Sequence, residues 1–352
     1  MTSIRNPHNV LVTGGCGFIG SAFIRYLFCQ SDFTGKVVNL DLLTYAANPE
    51  NVAGSVDESR YSLVRGDIRD TNLVTKTCRE ESVDTIVHFA AESHVDRSIL
   101  GPDVFIQTNI VGTQHLLEVV RALPSIHLHH VSTDEVYGSL GPTGSFKETT
   151  PYQPSSPYSA SKAASDHLVR AYAHTYGIRT TLSNCSNNYG PYQFPEKLLP
   201  LMLLNMLEGK PLPVYGTGAN VRDWLYVDDH AEAIWTIVRN GQLGETYNVG
   251  GEAEWNNLAL LHRLIEIVAE LTSKDPGTLK QLITFVKDRP GHDLRYAIDC
   301  SKVKRELGWS QRHDIQSGLR DTVRWYLDNP EWIASVRSGA YRNWIEQNYG
   351  ER

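Results

Sequence analysis

The stretch "LVTGGCGFIGS", residues 11–21, decides how the first half of this chain is read. An apolar run that reads as a β-strand leads into Gly14, Gly17 and Gly20 and then into a helical pattern, with Phe18 and Ile19 inside the turn. Glycines so spaced let backbone approach a pyrophosphate at a helix N-terminus, where free N–H groups and the helix dipole favour an anion. Alone the motif is weak, and a glycine-rich turn is its plain alternative. Asp41 strengthens it, lying 21 residues after Gly20 at the end of the next apolar run, "KVVNLD". A carboxylate there takes ribose hydroxyls and repels a 2′-phosphate, so the pattern predicts NAD rather than NADP.

Outward from this turn, short runs rich in Val, Ile and Leu alternate with helical stretches. They are "NVLV" (9–12), "KVVNLD" (36–41), "YSLVRGD" (61–67), "DTIVHFA" (84–90), "HLHHVST" (127–133) and "RTTLSNCS" (179–186). Near-continuous apolar strands separated by helices predict an α/β fold, a Rossmann-type doubly wound parallel sheet covered on both faces. Ligands of such sheets bind beyond the carboxyl ends of the strands. After residue 186 the chain turns rich in Pro, Gly, Tyr and Asn, the texture of ligand-contacting loops. Helix returns at 227–240, strand at 245–251 and a long helix at 256–272. The expected division is an NAD-binding domain over 1–186 with 223–250, and a smaller, discontinuous α/β nucleotide-sugar-binding domain over 187–222 with 251–352.

Composition narrows the function. Of 352 residues 41% are apolar and 21% charged, which is the make-up of a globular protein. A net charge of −7 offers no field for a nucleic-acid backbone, so an anionic ligand must be held by local Arg and Lys. Five scattered cysteines without a CxxC pair fit a reducing cytoplasm. The start carries no signal-peptide core, and the longest apolar stretch, "LLPLMLLNML" (198–207), falls short of the ~18 residues a membrane span needs. A cytoplasmic protein without nucleic-acid or membrane partners is expected.

Further cofactor candidates cluster at strand ends. Ala90 and Ala91 suit close packing on a ribose, and Thr44 and Ile68 are counted with them. Asp67 could reach an adenine or, equally, cap a helix. "YSASK" (158–162) puts Tyr158 and Lys162 on one helix face. A Lys cation beside the nicotinamide ribose would lower the Tyr pKa toward neutrality and make Tyr158 a base for a sugar hydroxyl, with Thr133 bonding the same hydroxyl. In "VSTDEVYG" (131–138), Asp134 and Glu135 follow Thr133 directly. Their plain alternative is a solvated turn. "SIHLHH" (125–130) invites a metal reading, but no nearby Cys or acid completes a set, and no metal is expected.

The segments "GGCGFIGS", "NLDLLTYA", "FAAESHVDRS", "STDEVYG", "YSASKAASDHLV", "NCSNNYGPYQFPEKL", "NVRDWLYVDDH" and "DRPGHDLRYAID" resemble the extended short-chain dehydrogenase/reductases. Among these the chain resembles the nucleotide-sugar 4,6-dehydratases of the dTDP-glucose type over nearly its whole length. The resemblance implies a tightly bound, recycled NAD and a catalytic set of Thr133, Asp134, Glu135, Tyr158 and Lys162, with Glu135 as base at carbon 5 and Asp134 as acid at carbon 6. It implies substrate contacts from Glu196 and Lys197 to the sugar, from Asn187 and Arg222 to the pyrophosphate and from Asn257 to the nucleoside end. Ser93, Arg289 and His292 complete the expected substrate set, and Arg295 is a further cation of the same loops. It also implies a homodimer formed through helices near 104–121 and 159–176. Dehydration of UDP-glucose or another nucleotide hexose, a UDP-sugar 4-epimerase and an NAD or nucleotide-sugar sensor are the competing readings. An epimerase has no use for the acid pair, and a sensor needs none of the five catalytic residues.

Overall fold

The protein is described from a computed structural model covering residues 4–337. Residues 1–3 and 338–352, which the expected domain ranges include, lie outside the described residues. In chain order the strands are β1 (Asn9–Thr13), β2 (Lys36–Asp41), β3 (Tyr61–Arg65), β4 (Thr85–His88), β5 (His127–Thr133), β6 (Arg179–Cys185), β7 (Asn187–Tyr189), β8 (Leu212–Tyr215), β9 (Val221–Tyr226), β10 (Thr246–Val249), β11 (Glu254–Asn256) and β12 (Ile283–Val286). Seven of them form one parallel sheet in the order β10-β6-β5-β4-β1-β2-β3. The order reverses between β1 and β4, and the crevice beyond their carboxyl ends is where an open sheet of this kind takes a ligand.

The longer helices are α1 (Phe18–Cys29), α2 (Thr71–Glu80), α3 (Thr113–Ala122), α4 (Pro157–Tyr176), α5 (Leu198–Glu208), α6 (Val227–Asn240), α7 (Asn257–Thr272) and α8 (Ile315–Asp328). Leu116, Leu117 and Val120 of α3 join Val74 of α2 and Val169 of α4 over one face of the sheet. Phe23 and Leu27 of α1 join Ile234 and Trp235 of α6 over the other. With both faces covered, the central strands read as continuous apolar runs, as expected of a buried parallel sheet. A separate core of Leu203, Met206, Leu260, Leu264, Leu319 and Tyr326 lies among α5, α7 and α8. Beside it stand two small sheets, β11-β9-β7 and β12-β8. No helix among the described residues is long and apolar enough to cross a membrane.

One local departure from the sequence reading has a physical reason. The helix expected over 104–121 is interrupted by a π-helical stretch, Ile106–Gly112, before α3 begins. Within the wide turn Asn109 is buried, its carboxamide accepting from Glu92 N at 2.9 Å and donating to Glu92 O at 3.0 Å and Ser161 Oγ at 2.8 Å. Such turns often aim a side chain at a functional site, and this one ties the loop after β4 to α4. Two histidines of β5 bond within the sheet: His127 Nε2 and His129 Nδ1 each lie 2.9 Å from the Thr181 hydroxyl, and His129 Nε2 lies 3.1 Å from Ser183 Oγ. Among the described residues no group of three or more His, Cys, Asp or Glu could hold a metal ion.

Candidate active site

A cavity of about 420 Å³ opens beyond the carboxyl ends of the parallel strands. Its first wall is the glycine turn. Gly14 has φ of 72°, and a Cβ there would stand 2.7 Å from the backbone of Ala90. A Cβ on Gly20 would meet the Gly14 carbonyl at 2.3 Å, so the turn and the start of α1 close on each other only as glycines. Gly17 is the N-cap of α1, and no side chain among the described residues caps it. Gly17, Phe18, Ile19 and Gly20 all line the cavity, leaving the first-turn N–H groups to an anion.

Asp41 ends β2 at the next wall. Its carboxyl accepts from Cys16 N at 2.9 Å and Leu43 N at 2.8 Å, locking the glycine turn to the strand end. Burial pushes its pKa up against the pull of those two N–H groups. Thr44, Asp67, Ile68, Ala90 and Ala91 continue the same wall. Asp67 does not cap the following helix; Asp70 does, accepting from Leu73 N at 2.9 Å. Asp67 instead pairs with Arg69 at 2.6 Å, and that hydrogen bond holds its carboxyl below the ordinary value.

Thr133, Asp134, Glu135, Tyr158 and Lys162 meet at the far end of the cavity. The first three come from the end of β5 and the short helix Asp134–Tyr137 that follows it. Tyr158 and Lys162 come from the first turns of α4, which Pro157 and a Ser156–Ser159 capping box start at a defined residue. The Lys162 ammonium donates to the Val131 carbonyl at 2.8 Å. Tyr158 differs from the sequence expectation. Burial and then Glu135 push its phenol well above the ordinary value, with only the Thr133 hydroxyl pulling back. Lys162 is itself wholly withdrawn from water, which lowers its own pKa.

The two acids lie in unlike surroundings. Asp134 is 1% exposed, and burial, Glu135 and Asp223 together drive its pKa well above the ordinary carboxyl value. For Glu135 burial also raises the pKa, but Arg289, Arg222 and Lys197 act against it. Anions thus outweigh Arg222 at the first carboxyl, while cations outweigh Asp293 at the second, a bias that pushes paired acids apart. Asp134 Oδ2, Asn187 Oδ1 and Gln193 Oε1 are buried beside the cavity without a hydrogen-bond partner among the described residues.

Of the expected substrate residues, Ser93, Asn187, Glu196 and Lys197 line the cavity. Lys197 donates to the Ser93 carbonyl at 3.0 Å, and Glu196 accepts from the Tyr45 hydroxyl at 3.1 Å. Arg222, Asn257, Arg289 and His292 do not line it. The buried Arg222 donates to Val221 O at 2.7 Å and Asp293 O at 2.9 Å and lies over the Tyr296 ring. Arg289 stands 3.8 Å from Asp96, and His292 Nδ1 lies 2.6 Å from Asp288, its pKa brought by burial to about 4. Asn257 opens α7, well along the chain from the strand ends. Arg295 is paired with Glu254 at 2.7 Å. Sequence reasoning missed Glu92, Gln107, Thr108, Cys185, Asn188, Gln193 and Phe194, which also line the cavity. Glu92 and Gln193 sit inside stretches already singled out, so their position was the available signal.

A family model described as GDP-mannose 4,6 dehydratase matches residues 11–322. A dTDP-glucose 4,6-dehydratase of Salmonella typhimurium is 52% identical over 361 aligned residues, covering 97% of this chain and 99% of the relative. A crystal structure of dTDP-glucose 4,6-dehydratase from Bacillus anthracis in complex with NAD superposes with a TM-score of 0.84 at 47% identity, covering 94% of this chain and 99% of that one. The UDP-glucose 4-epimerase of Thermotoga maritima, solved with UDP-glucose, reaches a TM-score of 0.81 at only 26% identity, covering 92% of this chain and 99% of that one. The fold is shared with both groups, whereas sequence identity over nearly full length separates them, and the chain belongs to the dTDP-glucose 4,6-dehydratase family.

Proposed function

We propose that the chain converts dTDP-glucose to dTDP-4-keto-6-deoxyglucose with NAD as a recycled cofactor. The observation that carries this reading is the acid pair: Asp134 among anions and Glu135 among cations, at the same end of the cavity as Tyr158, Lys162 and Thr133. The residues of the first walls fit the dinucleotide. Gly14, Gly17 and Gly20 leave room for a pyrophosphate, Asp41 faces a ribose, and Thr44, Asp67, Ile68, Ala90 and Ala91 line the adenosine side. NAD supplies, when bound, a hydride acceptor for carbon 4 and returns the same hydride to carbon 6.

The chain's own groups handle protons. Tyr158 takes the proton of the 4-hydroxyl, which Thr133 orients, and Lys162 favours the charged phenol. Once carbon 4 is a ketone, the hydrogen on carbon 5 is acidic, and Glu135 takes it as a proton. Asp134, its pKa raised by burial and neighbouring anions, keeps a proton to give to the hydroxyl leaving carbon 6, so water departs. Glu135 then returns its proton to carbon 5 as carbon 6 is reduced. Lys197, Glu196, Asn187 and Ser93 are the sugar-side contacts of this reading, with Arg222, Arg289 and His292 as cations for the diphosphate and Asn257 at the nucleoside.

We also propose that the parallel sheet (1–186 with 223–250) serves the cofactor and the remainder the nucleotide sugar, and that the protein is a cytoplasmic homodimer. The dimer reading is supported by exposed apolar side chains on the expected helices, Val104 at 47%, Ile106 at 44% and Tyr176 at 49%. Sedimentation should give twice the chain mass; a monomer would contradict it.

Incubation with dTDP-glucose should yield a 4-keto sugar, read by its absorbance in alkali; a carbon-4 epimer without that signal would sink the dehydratase reading. Glu135→Gln should abolish hydrogen exchange at carbon 5 while carbon 4 is still oxidised. Asp134→Asn should keep the exchange and slow water loss by roughly 10²- to 10⁴-fold. The same variant has a stability signature. The folded pKa of Asp134 is raised, so its stabilising contribution is full below the unfolded value of about 4 and is lost as pH rises through the folded value. Asp134→Asn should therefore gain stability over the wild type as pH climbs from about 4, measured by urea unfolding. A gain that shrinks with pH would reverse the assignment.

A further inference from the structure

No step of the proposed reaction uses Asp166, although it lies one helical turn beyond Lys162 and two beyond Tyr158 and is 0% exposed. A carboxyl so placed must be satisfied from inside the protein. Its Oδ2 accepts from Ser132 Oγ at 2.9 Å, Tyr152 Oη at 2.8 Å and Asn184 Nδ2 at 3.2 Å. Its Oδ1 lies 3.2 Å from His130 Nε2. Burial pushes its pKa up, but His130, Lys162 and the Ser132 hydroxyl outweigh that, and the carboxyl stays ionised below its ordinary range. The neighbouring His130 is held neutral, chiefly by burial.

The donors are not scattered. His130 and Ser132 belong to β5, the strand that ends in Thr133, and Val131 between them accepts from Lys162. Asn184 of β6 bonds Asp166 and also donates to the Thr133 carbonyl at 3.1 Å. Residues 130 to 133 are therefore each tied to α4, directly or through Asn184, and all but the Lys162 bond run through one carboxylate. Helix and strand carry the two halves of the redox centre, Tyr158 and Lys162 on one and Thr133 with the acid pair on the other.

We propose that Asp166 is a positioning residue that clasps the catalytic helix to the catalytic strand, so that Tyr158, Lys162 and Thr133 converge on the hydroxyl to be oxidised. This rests on the dehydratase reading above. The clasp serves the carbon-4 step, which needs groups from both elements at once. Proton exchange at carbon 5 takes its base, Glu135, from the strand side and needs no hydride transfer, so it depends less on the clasp.

Asp166→Asn retains the size of the side chain and removes its charge and one acceptor. Single-turnover oxidation at carbon 4 should fall by roughly 10- to 100-fold, the cost of a small misalignment of reacting groups. Exchange at carbon 5 of added dTDP-4-keto-6-deoxyglucose and binding of dTDP should keep their wild-type values. Ser132→Ala, which deletes one donor, should show the same selectivity with a smaller loss, and it decides the matter if the first variant does not fold. Equal losses in oxidation and exchange would mean fewer folded sites and would overturn the clasp, as would unchanged oxidation in both variants. An inactive wild type would count against the dehydratase reading, whereas an active wild type matched by its variants counts against the clasp alone.

Discussion

A carboxyl taken out of water must either lose its charge or find partners for it, and this site is organised around that constraint. Asp134, Asp166 and Asp223 are buried, and Glu135 half-buried, around the end of β5. Asp166 stays ionised because His130, Ser132, Tyr152 and Asn184 surround it. Asp223 accepts from Gly251 N at 3.0 Å and Ala253 N at 2.6 Å, which anchors β9 to the loop after β10. Asp134 has one side-chain donor, the Thr133 hydroxyl at 3.3 Å, and burial pushes it toward its protonated form. The same physical demand thus keeps Asp166 ionised among donors and pushes Asp134 toward its protonated form.

The parallel sheet supplies the rest. Its strands deliver the glycine turn, Asp41, Ala90 and Thr133 to one edge, and the helices behind them fix where each side chain begins. The interlock of Gly14 with Ala90 and of Gly20 with the Gly14 carbonyl makes that edge tight where a dinucleotide is to lie. Tyr158, its phenol held high in pKa by burial and by Glu135, stays protonated in the chain alone. In the proposed reaction, positive charge from Lys162 and from the oxidised cofactor would lower that pKa and release the phenolate as base.

Much of this was legible in the sequence because it is local. Glycine spacing, Asp41 at a strand end and Tyr158 four residues from Lys162 are constraints on neighbours along one chain segment, and the structure brings all of them to the cavity. What escaped depends on contacts far apart in sequence. Arg222, Arg289 and His292 were picked for their chemistry, and the sequence around most of them carries no sign of their contacts with Asp293, Asp96 and Asp288. The π-helical turn at Asn109 answers to Glu92 and Ser161, which no period in residues 104–121 reports. The partners of the "SIHLHH" histidines, where no metal was expected, are likewise distant in sequence: Thr181 and Ser183 for two and Asp166 for the third.

In the proposed reaction the acid pair turns an oxidation at carbon 4 into a dehydration, and the fate of one hydrogen tests that claim most directly. dTDP-glucose deuterated at carbon 4 should be turned over as a mixture with unlabelled substrate, and the product examined by mass spectrometry and NMR. The expected result is deuterium on carbon 6 of the same molecule, with no crossover between labelled and unlabelled chains. Deuterium still on carbon 4 of the product, or lost to solvent, would contradict it.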